Sequence, residues 1–273
     1  MPAAHEEPAK YQTRTAASAD APWLVMVHGA SQNHTVFDRQ AEVFGADFRL
    51  LLIDLPGHGL SADLPGPYGA MEYAASIAGA MDRAGVERCH YWGTHTGAVT
   101  GLLLACRDAA RFRSLVLEGP FNAGRPLPSV QSLPPKVAAV AQSESVAAAR
   151  DLWWQEGRWF DVIRSRPEAC RAAAKRRMID DFDGAPWLYK GPAPAEVPDI
   201  SGDFAELRVP ALIINGEHDL PDFLDAGEAL ANTLPDCRRV LTPDAGGFPL
   251  WEFPDRVNPV VAEFLTGQLA LGS

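Results

Sequence analysis

"YWGTHTGAVTG", residues 91–101, is a hinge between two kinds of structure. The run "RCHYWG" (88–93) leading into it is short, apolar and stopped by glycine, which reads as a buried strand. The stretch "GAVTGLLLACRDAARF" (97–112) leaving it reads as a helix. Gly93 and Gly97 flank His95 across the turn. A strand-to-helix turn this tight needs glycine where the backbone passes close to its neighbours. The residue at its corner is expected at positive φ, and histidine is among the non-glycine types enriched there. The corner also opens a helix, whose N-terminus disfavours positive charge. That predicts a lowered pKa for His95 and a neutral imidazole, the form that a general base or nucleophile requires.

The same strand grammar recurs along the chain. "PWLVMVHG" (22–29), "FRLLLIDLPG" (48–57), "FRSLVLEGP" (112–120), "VPALIINGEHD" (209–219) and "CRRVLTPDAGG" (237–247) are short apolar runs closed by turn residues. Helical stretches such as "GAMEYAASIAGAMDRAG" (69–85) alternate with them. Apolar strands alternating with helices imply an α/β fold with a mostly parallel, doubly wound sheet covered on both faces. The alternation breaks from about Gly124 to Pro198, between two Pro-rich connectors. There a helix-like stretch carries Trp153, Trp154, Trp159, Phe160 and Trp187. It reads as a helical lid over the sheet's carboxyl edge, dividing the chain into a core of residues 1–123 and 199–273 and a lid of residues 124–198. Most of these aromatics are expected to pack lid against core. Trp153 and Trp154 are candidates to face a ligand, because pockets are lined mainly by apolar and aromatic groups.

Composition narrows the function classes. The chain has 273 residues and a formal net charge of −11, with no Lys/Arg stripe. Nucleic acid and anionic membranes are therefore not expected partners. No apolar run is long enough to span a bilayer, and the N-terminus lacks the pattern of a signal peptide. A cytoplasmic protein, monomer or homodimer, is the expectation. Cys89, Cys106, Cys170 and Cys237 are scattered without metal spacing. No metal and no cofactor is expected.

Taken in order, several motifs resemble the α/β-hydrolase superfamily, in the flavour of lid-bearing enol-lactonases and carbon–carbon bond hydrolases. "VHGASQNHTVFD" (27–38) is similar to its oxyanion-loop segment and "DLPGHGLS" (54–61) to the turn after the next strand. "GTHTG" (93–97) stands where the nucleophile elbow belongs, "NGEHD" (215–219) where the acid belongs, and "PDAGGFPLWEFPD" (243–255) where the last loop belongs. The resemblance implies the α/β-hydrolase fold over nearly the whole chain. It implies Asp219 as the acid, with Glu118, at the end of "LEGP", as the second candidate. It also implies an oxyanion hole from the backbone N–H groups of Ala30 and Thr96, shaped by His28 and Gly29. Two departures matter. The elbow carries His95 in place of a nucleophile such as serine, and the expected histidine of the last loop is Gly247.

The paired departures invite the reading that His95 leans toward the space vacated at Gly247 and pairs, directly or through water, with Asp219 or Glu118. Of the residues after the oxyanion loop, Ser31, Gln32, Asn33 and His34, one or two are candidates to face the pocket. Asp54 and His58 read as turn residues, His90 as a core histidine and His218 as outward-facing. Thr94 and Thr96 flank His95, where their hydroxyls are candidates to orient its ring. Two functions compete. One is an atypical enzyme on a small, partly apolar ester, lactone or carbonyl compound, with His95 as base or nucleophile. The other is a non-catalytic binder that kept the pocket. A third reading is an ordinary hydrolase disabled at positions 95 and 247.

Overall fold

The computed structural model describes residues 7–15, 18–121, 127–198 and 200–271. Seven strands form one sheet: β1 (Tyr11–Arg14), β2 (Trp23–Val27), β3 (Arg49–Ile53), β4 (Cys89–Thr94), β5 (Phe112–Glu118), β6 (Ala211–Gly216) and β7 (Cys237–Thr242). Their order is β1-β3-β2-β4-β5-β6-β7. Strands β2 to β7 pair in parallel, and β1 joins the edge antiparallel to β3. The six parallel strands are those the apolar runs predict. The seventh, β1, is too short and polar to show in a hydrophobic pattern: "YQTR" leaves Gln12, Thr13 and Arg14 exposed.

Helices α1 (Asp38–Phe44), α2 (Ala70–Arg83) and α3 (Thr96–Arg107) lie in the first half of the chain. Helices α4 (Leu133–Ser143), α5 (Val146–Glu156), α6 (Asp161–Ser165), α7 (Ala172–Asp180) and α8 (Ala185–Leu188) all fall between β5 and β6, followed by the short α9 (Ser201–Phe204). Helices α10 (Pro221–Thr233), α11 (Pro249–Glu252) and α12 (Pro254–Leu271) complete the core.

Successive strand residues point to opposite faces, so two cores form. Leu24, Met26, Leu50, Leu52 and Trp92 join one of them, with Phe44 of α1 and Val261 of α12. Val25, Val27, Leu51, Ile53 and Tyr91 join the other, with Ile77 of α2 and Leu102 of α3. The double covering is what makes these strands read as continuous apolar runs. Each fully buried large side chain adds roughly 1.5–3 kcal/mol.

The inserted region is not one long helix. It is cut into pieces at Gly157, around Pro167, and at Gly184, where φ is +78°. Trp153 packs 4.6 Å from Trp159 and 5.9 Å from Trp187, ring centre to ring centre. The expected boundary near 123–124 and residue 199 lie outside the described residues.

Candidate active site

Strand β4 ends at Thr94 and α3 begins at Thr96, so one residue makes the corner. His95 takes it at φ 47° and ψ −109°. Its N–H donates to the Glu118 carbonyl at 2.8 Å, which ties the corner to the neighbouring strand. A β-carbon at Gly93 would run into the backbone of Gly97, and one at Gly97 into the Val27 carbonyl. Both glycines are therefore required by close approach, as the sequence predicts.

Above the corner lies a cavity of about 160 Å³. Its floor holds His95 and Thr96 from the elbow and Ala30 and Gln32 from the loop after β2. Trp153 and Trp159 reach it from the inserted helices, Phe223 from the first turn of α10 and Phe248 from the loop after β7. Thr96 is the first residue of α3, so its N–H is one of the helix's unpaired donors. The loop carrying Ala30 is held in a fixed shape. Ser31 sits at φ 56°. Its N–H donates to His58 Nε2 at 3.1 Å and its hydroxyl to the Ala30 carbonyl at 2.7 Å. A side chain at Gly29 would press on the β-carbon of His95, at 3.2 Å.

The residues read as turn formers are the frame of this loop. Asp54 is fully buried and accepts from the main-chain N–H of His34 (2.6 Å) and of Leu60 (2.8 Å), and from His34 Nδ1 (2.7 Å). Burial opposes its charge, yet the hydrogen bonds from His28 and His34 hold the carboxyl well below the usual range. His58 is buried and neutral, its pKa lowered to about 3 by burial and by the nearby His28. His28 Nδ1 bonds to the Gly29 carbonyl at 2.7 Å, consistent with shaping the loop.

The His95 ring is 8% exposed and lies between Phe223 (5.2 Å) and Phe248 (4.9 Å). Its Nε2 would be 2.8 Å from a β-carbon at Gly119, so the ring rests on that glycine. Neither ring nitrogen has a hydrogen-bond partner among the described residues. Burial, and then the charge of Lys175, lower the pKa to about 3, the direction expected for a neutral imidazole.

The ring does not fill the space at Gly247. A β-carbon there would sit 2.8 Å from Trp159 Cβ and 3.0 Å from the Trp159 carbonyl oxygen, because the inserted chain seats directly on this glycine. The two acids lie close by but are engaged elsewhere. Asp219 Oδ1 accepts from Leu220 N–H at 2.8 Å and Oδ2 from Asn215 Nδ2 at 3.2 Å. Burial raises its pKa to about 7. Glu118 Oε2 accepts from Leu250 N–H at 3.0 Å, while Oε1 has no partner. Burial pushes this carboxyl well above its usual range. Among the described residues no hydrogen bond joins either carboxyl group to the His95 ring. The expected role of Thr94 is also unseen, since its buried hydroxyl finds no partner.

Of the two tryptophans, Trp153 lines the cavity. Trp154 packs on Phe160 at 5.0 Å and is only half-buried. His90 is a core histidine bonded to Ser114 Oγ at 2.8 Å, and His218 is exposed. Among the described residues no group of three or more His, Cys, Asp or Glu is placed to hold a metal ion, and no helix is long and apolar enough to cross a membrane.

Two buried polar residues escape the sequence reading of the site. Lys175 of α7 is fully buried and donates to Gln32 Oε1 at 2.9 Å, with the Phe248 and Trp251 rings 4.0 and 4.9 Å from its Nζ. Burial lowers its pKa to about 7 against the pull of Glu118 and Glu252. A signal existed: Ala172, Lys175, Met178 and Ile179 share the buried stripe of α7, which places a charge at an apolar position. Glu252 is the other. It accepts from the N–H groups of Gly246 (2.5 Å) and Phe248 (3.3 Å), holding the last loop in place.

A family model described as alpha/beta hydrolase fold matches residues 22–166, more than half of the chain. The chain belongs to the alpha/beta hydrolase family. Within it, the chain is 26% identical over 258 residues to a 2-hydroxy-6-oxononadienedioate/2-hydroxy-6-oxononatrienedioate hydrolase of Burkholderia vietnamiensis, covering 89% of this chain and 86% of that one. The crystal structure of the enol-lactonase from Burkholderia xenovorans LB400 superimposes with a TM-score of 0.79 at 26% identity, covering 94% and 96% of the two chains. A hydrolase from Pseudomonas aeruginosa PA01 gives 0.78 at 26%, with 93% of each chain covered.

Proposed function

We propose that this alpha/beta hydrolase family member is an enzyme that acts on a small, partly apolar ester, lactone or carbonyl compound. His95 serves as nucleophile or general base, and the Ala30 and Thr96 N–H groups receive the developing oxyanion. One observation carries the reading: an unpartnered, neutral imidazole and both candidate donors border the same aromatic-walled cavity. The names of the relatives, an enol-lactonase and a hydrolase of 2-hydroxy-6-oxononadienedioate and 2-hydroxy-6-oxononatrienedioate, support the class. The inserted helices act as the lid.

The environment also limits the mechanism. An imidazole this desolvated becomes charged only when a negative charge forms beside it. In this cavity the developing oxyanion supplies that charge, so proton transfer or attack by His95 and oxyanion formation are coupled. As a nucleophile, the unprotonated His95 nitrogen bonds to the carbonyl carbon, the C–O π pair moves to oxygen, and the leaving group departs with the C–X bonding pair as the carbonyl reforms, the proton shed by the other ring nitrogen neutralising it. Water then releases the acyl group from the labile acyl-imidazole. Backbone donors alone sustain modest rates; in other enzymes stripped of their triad roughly 10³–10⁴ over water remains.

The test is turnover of a panel of p-nitrophenyl esters and simple lactones by the wild type and by His95→Ala. Loss of turnover in the variant supports the reading, and equal background rates in both refute it. A ligand-binding role is the second reading. It is favoured by the absence of an acid bonded to His95, and by Trp159 seated where the last-loop histidine would project. Thermal stabilisation by the same compounds without turnover would select it.

A further inference from the structure

Gln32 and Lys175 form a pair that neither the family pattern nor the sequence assigns. Gln32 stands two residues beyond Ala30 and is nearly fully buried, yet borders the cavity. Its Oε1 accepts from Lys175 Nζ at 2.9 Å. A lysine ammonium has donors and no acceptor, so the amide must present its oxygen to Lys175 and turn its NH₂ away. That NH₂ is turned toward the elbow. Nε2 lies 3.1 Å from the point where a Gly29 β-carbon would stand, and His95 Cβ lies 3.2 Å from the same point. The two amide hydrogens find no protein acceptor among the described residues.

The lysine is fixed as firmly as the glutamine. It is caged by the faces of Phe248 and Trp251. No carboxylate comes within ion-pair distance of it among the described residues, and Glu252 spends its oxygens on main-chain N–H groups. Below about pH 7, where Lys175 carries its proton, that charge acts on the Gln32 amide and polarises the N–H bonds that face the elbow. Strong donors with no acceptor, beside the corner imidazole, are what a developing oxyanion needs.

We infer that Gln32 Nε2 is a side-chain oxyanion donor, working with the Ala30 and Thr96 N–H groups, and that Lys175 is the residue that positions it. The inference rests on the cavity being the carbonyl site proposed above. It gives the chain a donor that substitutions at the elbow and last loop leave in place.

Gln32→Glu is the decisive variant, because it keeps the shape and the Lys175 partner and removes the NH₂. The probe is acetophenone labelled with ¹³C at the carbonyl. Its binding is followed by tryptophan fluorescence and its C=O stretch by difference infrared. The bound stretch is expected at lower frequency in the wild type than in Gln32→Glu, with Lys175→Met between them. On a turned-over ester, Gln32→Glu is expected to lower kcat about 10²–10³-fold with KM little changed, the effect of losing one such donor. Acetophenone that binds with the same stretch in the wild type and Gln32→Glu overturns the assignment, as does failure of acetophenone to bind saturably. A stretch that shifts in a protein without ester turnover supports the donor and sinks only the enzymatic reading. Turnover with kcat and stretch unchanged in Gln32→Glu sinks the donor and leaves the enzyme standing.

Discussion

The α-carbon of Gly247 faces the main chain of Trp159 so closely that a β-carbon there would stand 2.8 Å from Trp159 Cβ and 3.0 Å from its carbonyl oxygen. Gly247 is thus a seat for the inserted region, and a histidine placed there displaces that region.

Gly247→Ala should therefore destabilise the protein by overpacking, by about 1–3 kcal/mol, lowering Tm by a few degrees. Gly267→Ala is the control. Gly267 lies in α12 with nothing within 4 Å of an added β-carbon. There the change should stabilise by roughly 0.5–1 kcal/mol. Equal melting temperatures for wild type and Gly247→Ala would refute the seat. His95→Ser combined with Gly247→His should likewise unfold at lower temperature than His95→Ser alone.

Lys175→Met should leave the fold intact. Among the described residues the fully buried ammonium has one neutral acceptor and no ion pair, so its desolvation is poorly offset. Replacing such a group with an apolar side chain of similar length is neutral or stabilising, by up to about 1–4 kcal/mol. Urea unfolding checks this. A large loss of stability would mean that the lysine is structural and not a positioning residue.

Asp54→Ala should be costly. It strands the main-chain N–H groups of His34 and Leu60 and the His34 ring without their acceptor. Each lost partner of a buried donor costs about 1–3 kcal/mol, so a total loss of about 3 kcal/mol or more is expected. The loop carrying Ala30 loosens with it, so any turnover should fall together with stability.

His90 gives a pH signature. Burial, with Arg113 and Arg88 nearby, lowers its pKa from 6.5 to about 4. Between these values the unfolded chain binds the proton and the folded chain does not. Its contribution to stability is therefore present above about pH 6.5 and lost as pH falls toward about 4. His90→Gln keeps a polar partner for Ser114 and removes the titration. The stability of this variant relative to the wild type should rise as the pH is lowered from 6.5 to 4. A constant difference across that window would show that His90 is not the neutral core group described here.

Much of the fold was legible because the strands are buried on both faces and closed by turn residues. "PWLVMVHG", "FRLLLIDLPG" and "RCHYWG" carry that signature in composition alone. The elbow was legible too, since glycine stands at 93 and 97, where a β-carbon would meet main chain, and a positive-φ corner falls between them at His95. The edge strand β1 was not, for its partner is supplied by β3 and its own side chains face water.

What the sequence determined by itself was whatever depends on neighbours along the chain: strand period, turn glycines and the helix start just after His95. What only the tertiary structure decided was which distant groups meet. Trp159 occupies the space at Gly247, the acids turn to main-chain donors, and Lys175 crosses 143 positions of sequence to hold Gln32. Local conformation follows from short-range sterics and burial. A hydrogen bond between remote side chains depends on how helices and sheet pack, and no spacing in the sequence encodes that distance.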